Sequence, residues 1–233
     1  MKAMVLAAGF GKRLSPLTDT LPKPLIKVGD QSLIQRNINY LIDNGFSEII
    51  INVSHHSDQV INHVKEIFPN INILFSIEDK PLGTGGGILN ALPIIGSKPF
   101  LLINSDIFHK IDIKDLPQDT KAAHLIGVPN PKHNEDGDFS LRKDLIEIKD
   151  GKNSLTWCGI SIINPIIFNK RNFESKSFNI WDTVLPSYIE EGVVTGEESL
   201  GLWVDVGTPE RLKLANSVYN AVSYTHLTLP TKA

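Results

Sequence analysis

The chain has 233 residues, enough for one large domain or two small ones with a substantial buried core. A hydrophobic fraction of 41% and a charged fraction of 21% are ordinary for a globular protein. The net charge of −3 excludes a general affinity for nucleic acid or anionic membrane, so any cationic site must be local. The single cysteine, Cys158, excludes an internal disulfide and a multi-cysteine metal site, and reads as a small buried apolar residue. No apolar run reaches the roughly 18–20 residues that span a bilayer. The N-terminal MKAMVLAAGFGKR is too short in its apolar part, and too quickly followed by cations, for a signal peptide. The expected location is cytoplasmic.

In chain order, residues 3–8 (AMVLAA) form a continuous apolar run, as expected of a strand covered on both faces. After a loop, SLIQRNINYLIDNG reads as a helix: Ser32 and Gln35 form a capping box, Leu33, Ile34, Ile38, Leu41 and Ile42 line one face, and Gly45 ends it. Residues 48–53 (EIIINV) are a second strand, and SDQVINHVKEIF a second helix with Val60, Ile61, Val64, Ile67 and Phe68 on one side. INILFSI (71–77), GGGILNAL and PFLLIN (99–104) continue as strand, helix and strand. This alternation predicts right-handed βαβ units and a mostly parallel sheet with helices on both faces. Ligands in such sheets sit at the carboxyl ends of the strands, where the glycine turn after the first strand, residues 78–87 and residues 104–106 all fall.

From about Ala122 the pattern loosens into strands AHLIGV, DFSL, LIEI and LTWCGISII, a helix near 180–191 and a strand LGLWVDV. TPERLKLANSVYNA closes the pattern as a helix, with Thr208 as N-cap and Pro209 at its first position. The final SYTHLTLPTKA is threonine-rich and without helical period. It reads as a translated adapter, so residues 223–233 are set aside as a non-native tail.

The first loop, AAGFGKRLSPLTDTLPKPL, combines glycines with Lys12, Arg13 and a Lys23 held between two prolines. It fails both common nucleotide signatures. A dinucleotide fingerprint starting at Gly9 would need glycine where Leu14 stands, and a Walker P-loop would need glycine at Leu6 and Ser or Thr at Arg13. His55 and His56 follow the second strand without metal-ligand spacing and read as loop residues.

Over some twenty residues this loop closely resembles the signature of the sugar-1-phosphate nucleotidyltransferases. LGTGGGILNAL, LLINSDIF and WVDVGTPERL match further family segments in the same order, to about Ala221. The resemblance implies a Rossmann-like three-layer α/β fold. It implies a single domain over 1–222, with a nucleotide-binding half (about 1–120) and a sugar-phosphate-binding half (about 121–222), and no room for the β-helix domain many relatives carry. The implied partners are an NTP and a sugar-1-phosphate, with neither nucleic acid nor membrane, in a monomer or small homo-oligomer. The TGGGI turn and the GDF tripeptide (137–139) point within the family to UTP and N-acetylmuramate 1-phosphate. Mannose- or heptose-1-phosphate with GTP, and glucose-1-phosphate with UTP or dTTP, are the alternatives.

The resemblance also assigns roles. Ala7, Ala8, Gly9 and Gly11 are assigned to the nucleotide, with backbone N–H groups of loop 8–13 facing it. Arg13, with Lys12, braces the β- and γ-phosphates, and Lys23 stands beside the α-phosphate, which makes Arg13 and Lys23 the catalytic candidates. Asp106 and Asp205 are the metal candidates for one Mg²⁺. Asn104 touches the ribose or metal shell, and Glu78, Thr84, Gly85 and Gly86 surround the base. Asp138 and Gly159 face the sugar phosphate. A non-catalytic nucleotide-sugar sensor on the same fold would be expected to have lost Lys23, Arg13 or Asp106, and all three are present.

Overall fold

The computed structural model describes residues 1–169 and 173–227, the side chains of 222–227 excepted. The first half alternates as expected. Strand β1 (Ala3–Leu6) leads through three short 3-10 turns to a two-residue hairpin, β2 (Lys27–Val28) and β3 (Gln31–Ser32). Helix α1 (Leu33–Asp43), β4 (Glu48–Val53), α2 (Ser57–Ile67), β5 (Asn72–Ile77), α3 (Gly83–Ile95) and β6 (Phe100–Asn104) follow. The capping reading holds at α1: Ser32 Oγ accepts the Gln35 N–H at 3.2 Å, and the chain leaves the helix through Gly45 at φ +84°.

The second half contributes β7 (Ile107–His109), β8 (Ala123–Pro129), β9 (Ser140–Arg142), β10 (Leu145–Glu147) and β11 (Leu155–Ile163). Two short helices, α4 (Ile180–Thr183) and α5 (Leu185–Glu190), precede β12 (Val194–Glu198), β13 (Trp203–Asp205) and α6 (Pro209–Leu227). Among the described residues nine strands form one sheet, in the order β5-β4-β1-β6-β11-β8-β12-β10-β9. Following the pairings from β5 to β9, seven strands run one way and only β11 and β10 oppose them. The sheet is thus mostly parallel, and it crosses both halves without a break.

Helices α1 and α2 cover one face through Ile34, Ile38, Leu41, Val60 and Val64, against Val5, Ile51 and Ile103. Helices α3, α4 and α5 cover the other through Ile88, Ala91, Ile180 and Leu185, against Met4, Ile50 and Leu102. Alternate residues of β1 therefore serve opposite cores, which is why the strand is apolar throughout. A third cluster, around Leu14, Val28, Leu33, Val204 and Ala215, seats α6 beside β2 and β13. Cys158 is buried among core residues, and burial pushes its thiol up to about 12.

Some elements differ from the sequence reading. The first strand stops at Leu6, because the Ala7 N–H turns to the side chain of Asn52. β7 and β12 carry no readable alternation: one is three residues long, and the other places Gly196 against the Leu125 carbonyl. α6 continues to Leu227, into the segment read as foreign, since an established helix extends at one backbone hydrogen bond per residue. The rest of that segment lies outside the described residues. Among the described residues no helix is long and apolar enough to cross a membrane.

Candidate active site

A cavity of about 340 Å³ opens at the carboxyl ends of β1, β4 and β6. The loop after β1 forms one wall through Ala7, Ala8, Gly9, Gly11, Lys12 and Arg13. Lys23, Pro24, Asn104, Ser105 and Asp106 line it too, as do Asn52, Pro81, Gly83, Thr84, Asn179 and Gly207.

The loop owes its shape to Gly11, which sits at φ +66° with its α-carbon turned toward Lys23. A β-carbon there would lie 3.0 Å from both Lys23 Cβ and Thr18 Cγ2. Gly11→Ala should therefore lose about 1–2 kcal/mol of stability through left-handed strain and push Lys23 from its place. An unchanged midpoint in chemical denaturation would contradict this. Lys12 projects into solvent, 5.5 Å over the Phe10 ring.

Lys23 is buried, and its Nζ donates to Asp106 Oδ2. Asp106 follows β6 in the turn to β7. Pairing of β7 with β13 sets Asp205 opposite Ile107, and the Val206 N–H donates to the Asp106 carbonyl at 2.8 Å. The two carboxylates, 99 positions apart, thereby become neighbours: Asp106 is one of the charges that disfavour ionisation of Asp205. Burial, reinforced by Asp106, pushes the Asp205 carboxyl up, against the opposing pull of Arg211, Lys23 and Arg13.

Asn37, on α1, fixes the same turn from below. Its Nδ2 donates to the carbonyls of Ser105 and Ile107, both at 3.3 Å. Its Oδ1 lies 3.2 Å from Nε2 of His109, whose burial pushes the imidazole down to about 4 and keeps it neutral.

Sequence reasoning did not single out Arg211 and His133. Arg211 Nη1 meets Asp205 Oδ2 at 3.0 Å, and His133 Nε2 lies 3.8 Å from the same oxygen. Asp205 Oδ1 and Arg211 Nε and Nη2 are buried, with no hydrogen-bond partner among the described residues. Gly207 leaves room for this group, since a β-carbon there would sit 2.2 Å from Arg211 Nη2 and 2.9 Å from Arg13 Nη2. The available signal was the WVDVGTPERL segment itself, but strand, turn and helix separate its Asp from its Arg, so no periodicity links them.

The glycine turn at α3 is arranged differently from expectation. Of its glycines only Gly83 lines the cavity, beside Thr84. Gly85 and Gly86 are buried beneath residues 176–180: both N–H groups donate to the Phe178 carbonyl, at 3.0 and 3.1 Å. A β-carbon on Gly85 would strike the Phe178 ring at 2.4 Å, and one on Gly86 the Lys176 carbonyl at 2.2 Å. These glycines make room for crossing chain, not open wall for a base. Thr84 Oγ1 accepts the Ile180 N–H at 3.0 Å.

Glu78 also stands behind the wall, buried, with Asn52 Nδ2 donating to Oε1 and the Leu82 N–H donating to Oε2. Asp138 lies outside the cavity, accepting from Asn134 Nδ2 at 3.0 Å and from the Trp157 N–H at 2.8 Å. Gly159, at φ +82° where β11 shifts register against β8, lies against Asn104, whose Nδ2 a β-carbon there would meet at 2.5 Å. Arg142 pairs with Glu147 at the far end of the sheet. His56 caps α2 at φ +54°, and His55 packs on Phe10.

A strand-end cavity lined by Lys12, Arg13 and a buried Lys23 that meets Asp106, with Asp205 close behind, is an arrangement for handling phosphates. Residues 2–136 match the nucleotidyl transferase family, and the chain belongs to that family. It is 40% identical to the N-acetylmuramate alpha-1-phosphate uridylyltransferase of Neisseria meningitidis serogroup B, over 95% of this chain and 99% of that protein. It is 29% identical to a mannose-1-phosphate guanyltransferase of Aspergillus oryzae, but spans only 64% of that longer protein. Among solved structures, HddC from Yersinia pseudotuberculosis complexed with GMP-PN superimposes with a TM-score of 0.77 at 26% identity, over 94% of this chain and 99% of that one. A putative glucose-1-phosphate thymidylyltransferase from Bacillus anthracis, at 23% identity and a TM-score of 0.83 over 94% of both chains, shares the fold.

Proposed function

We propose that this protein transfers the uridylyl group of UTP to N-acetylmuramate 1-phosphate in peptidoglycan recycling, releasing pyrophosphate. The observation that carries the acceptor and base is the 40% identity, nearly end to end, with a relative of that name.

In the proposed reaction a phosphate oxygen of the sugar-1-phosphate attacks the α-phosphorus of UTP. The bond from that phosphorus to the β-phosphate bridging oxygen breaks, and pyrophosphate leaves with the electron pair. Both reactants are anions, so the protein's work is alignment and charge neutralisation. Ala8, Gly9 and Gly11 let the nucleotide lie against the main chain. Lys23 sits deep, where the α-phosphate would lie, and neutralises charge that grows on its oxygens. Arg13 and Lys12, at the mouth, take the leaving β- and γ-phosphates. Gly159 and Asn104 bound the acceptor side, and Asp138 holds the start of β11 there.

Asp106 and Asp205 suit one Mg²⁺. Their carboxylates are close enough to influence each other, Oδ1 of Asp205 is buried with no partner among the described residues, and substrate phosphates would complete the oxygen set. When bound, the ion supplies positive charge to phosphate oxygens that Lys23 and Arg13 do not reach.

The test is pyrophosphate release with Mg²⁺, pairing UTP, dTTP, GTP, CTP and ATP with N-acetylmuramate, N-acetylglucosamine, glucose and mannose 1-phosphates. The expected result is a clear preference for UTP with the muramate ester, and loss of turnover when EDTA removes the metal. Preference for GTP with mannose 1-phosphate would overturn the acceptor and base while leaving the chemistry. Silence of folded protein on every pair would favour a nucleotide-sugar sensor.

A further inference from the structure

Three neighbouring strand ends carry a hydrogen-bond chain that touches none of the reacting groups assigned above. The Ala7 N–H, just past β1, donates to Asn52 Oδ1 at 2.8 Å. Asn52, on β4, donates through Nδ2 to Glu78 Oε1 at 2.6 Å. Glu78, just past β5, accepts the Leu82 N–H on Oε2 at 2.9 Å. Asn52 is 2% exposed and Glu78 4%. Gly87 lets α3 lie directly against the pair, since a β-carbon there would stand 2.6 Å from Asn52 Nδ2 and 2.8 Å from Glu78 Oε1.

The chain has a fixed polarity. Both ends are backbone donors, so the group facing each must be an acceptor. One link between them must then donate, and one must accept twice. An amide beside Ala7 and an ionised carboxylate beside Leu82 meet that requirement. A proton on Glu78, or an amide in its place, would set donor against donor in a buried site.

The two ends reach two parts of the cavity wall: Ala7, with Asn52, lines it beside the loop after β1, and Leu82 immediately precedes the lining residues Gly83 and Thr84. We propose that Asn52 and Glu78 act together as positioning residues, a relay that sets the spacing between these parts of the wall and hence the fit of the nucleotide. This rests on the nucleotidyl-transfer reading. Glu78 thereby acts on the nucleotide through the backbone at both ends of the relay, not by contact with the base.

The polarity makes the proposal testable by exchange of the two side-chain types. Glu78→Gln breaks the relay at one link. Asn52→Asp places two carboxylates face to face. The double variant N52D/E78Q restores it with the roles exchanged. Its carboxylate accepts from the Ala7 N–H and from the introduced amide, whose oxygen accepts from the Leu82 N–H. In the intact enzyme, with UTP and N-acetylmuramate 1-phosphate, E78Q should raise KM for UTP about tenfold and change KM for the sugar phosphate less than about twofold. The double variant should return KM for UTP to within about threefold of the parent. A double variant as impaired as E78Q, or an E78Q enzyme with unchanged KM for UTP, would overturn the relay.

Amide hydrogen exchange at Ala7 and Leu82 reads the relay without turnover. Protection in the parent, loss in E78Q and recovery in the double variant are expected, and rapid exchange in the parent would overturn it. A parent that processed no substrate pair but showed this protection would sink the functional reading and leave the relay standing.

Discussion

Lys23→Ala is expected to lower kcat about 10³-fold with the fold intact. The ammonium is buried at the base of the cavity, fixed by Pro22 and Pro24 and by its contact with Asp106. A cation held there needs no reorganisation as charge grows on the α-phosphate, and truncation removes it without replacement. Asp106 retains partial solvent access, so losing its partner should cost no more than about 1 kcal/mol of stability. Steady-state pyrophosphate release, with a thermal melt on the same preparation, separates the two effects. A variant with near-normal kcat would remove Lys23 from the chemistry, and one that melted far below the parent would show a structural role instead.

Asp106→Asn should lower kcat about 10²–10³-fold and raise the Mg²⁺ concentration for half-maximal rate about tenfold. Asparagine keeps an acceptor for Lys23 but removes the charge from the more exposed carboxylate of the pair. Asp205 would remain, held by Arg211, and could bind the ion only weakly alone. The informative experiment is a Mg²⁺ titration of rate for parent and variant at saturating substrates. Superimposable titration curves would mean that Asp106 serves Lys23 and not a metal.

Much of the fold was legible before any coordinates. β4 runs over the residues read as EIIINV, and the alternating apolar runs predicted parallel order because strands covered on both faces must be apolar throughout. The Ser32 cap of α1 and the Thr208 start of α6 were readable because caps act within one turn, at spacings of two or three residues. The cationic loop after β1 was visible because its glycines, prolines and cations lie within twenty-odd contiguous residues.

What was not legible depends on contacts between distant segments. The glycines at 85 and 86 looked like space for a ligand, and the space is filled by residues 176–180, at least 90 positions away. Glu78 looked like a loop carboxylate at the base, and a single amide from the neighbouring strand turned it inward. Arg211 and His133 join Asp205 only once β13 pairs with β7 and the loop after β8 folds over.

Local rules act over a few residues, so composition, periodicity and caps determined the elements, their parallel order and the cationic loop. The partner of each carboxylate is a matter of which strand ends lie side by side. That is set by sheet order, which depends on burying apolar faces across the whole chain, and only the tertiary structure decided it.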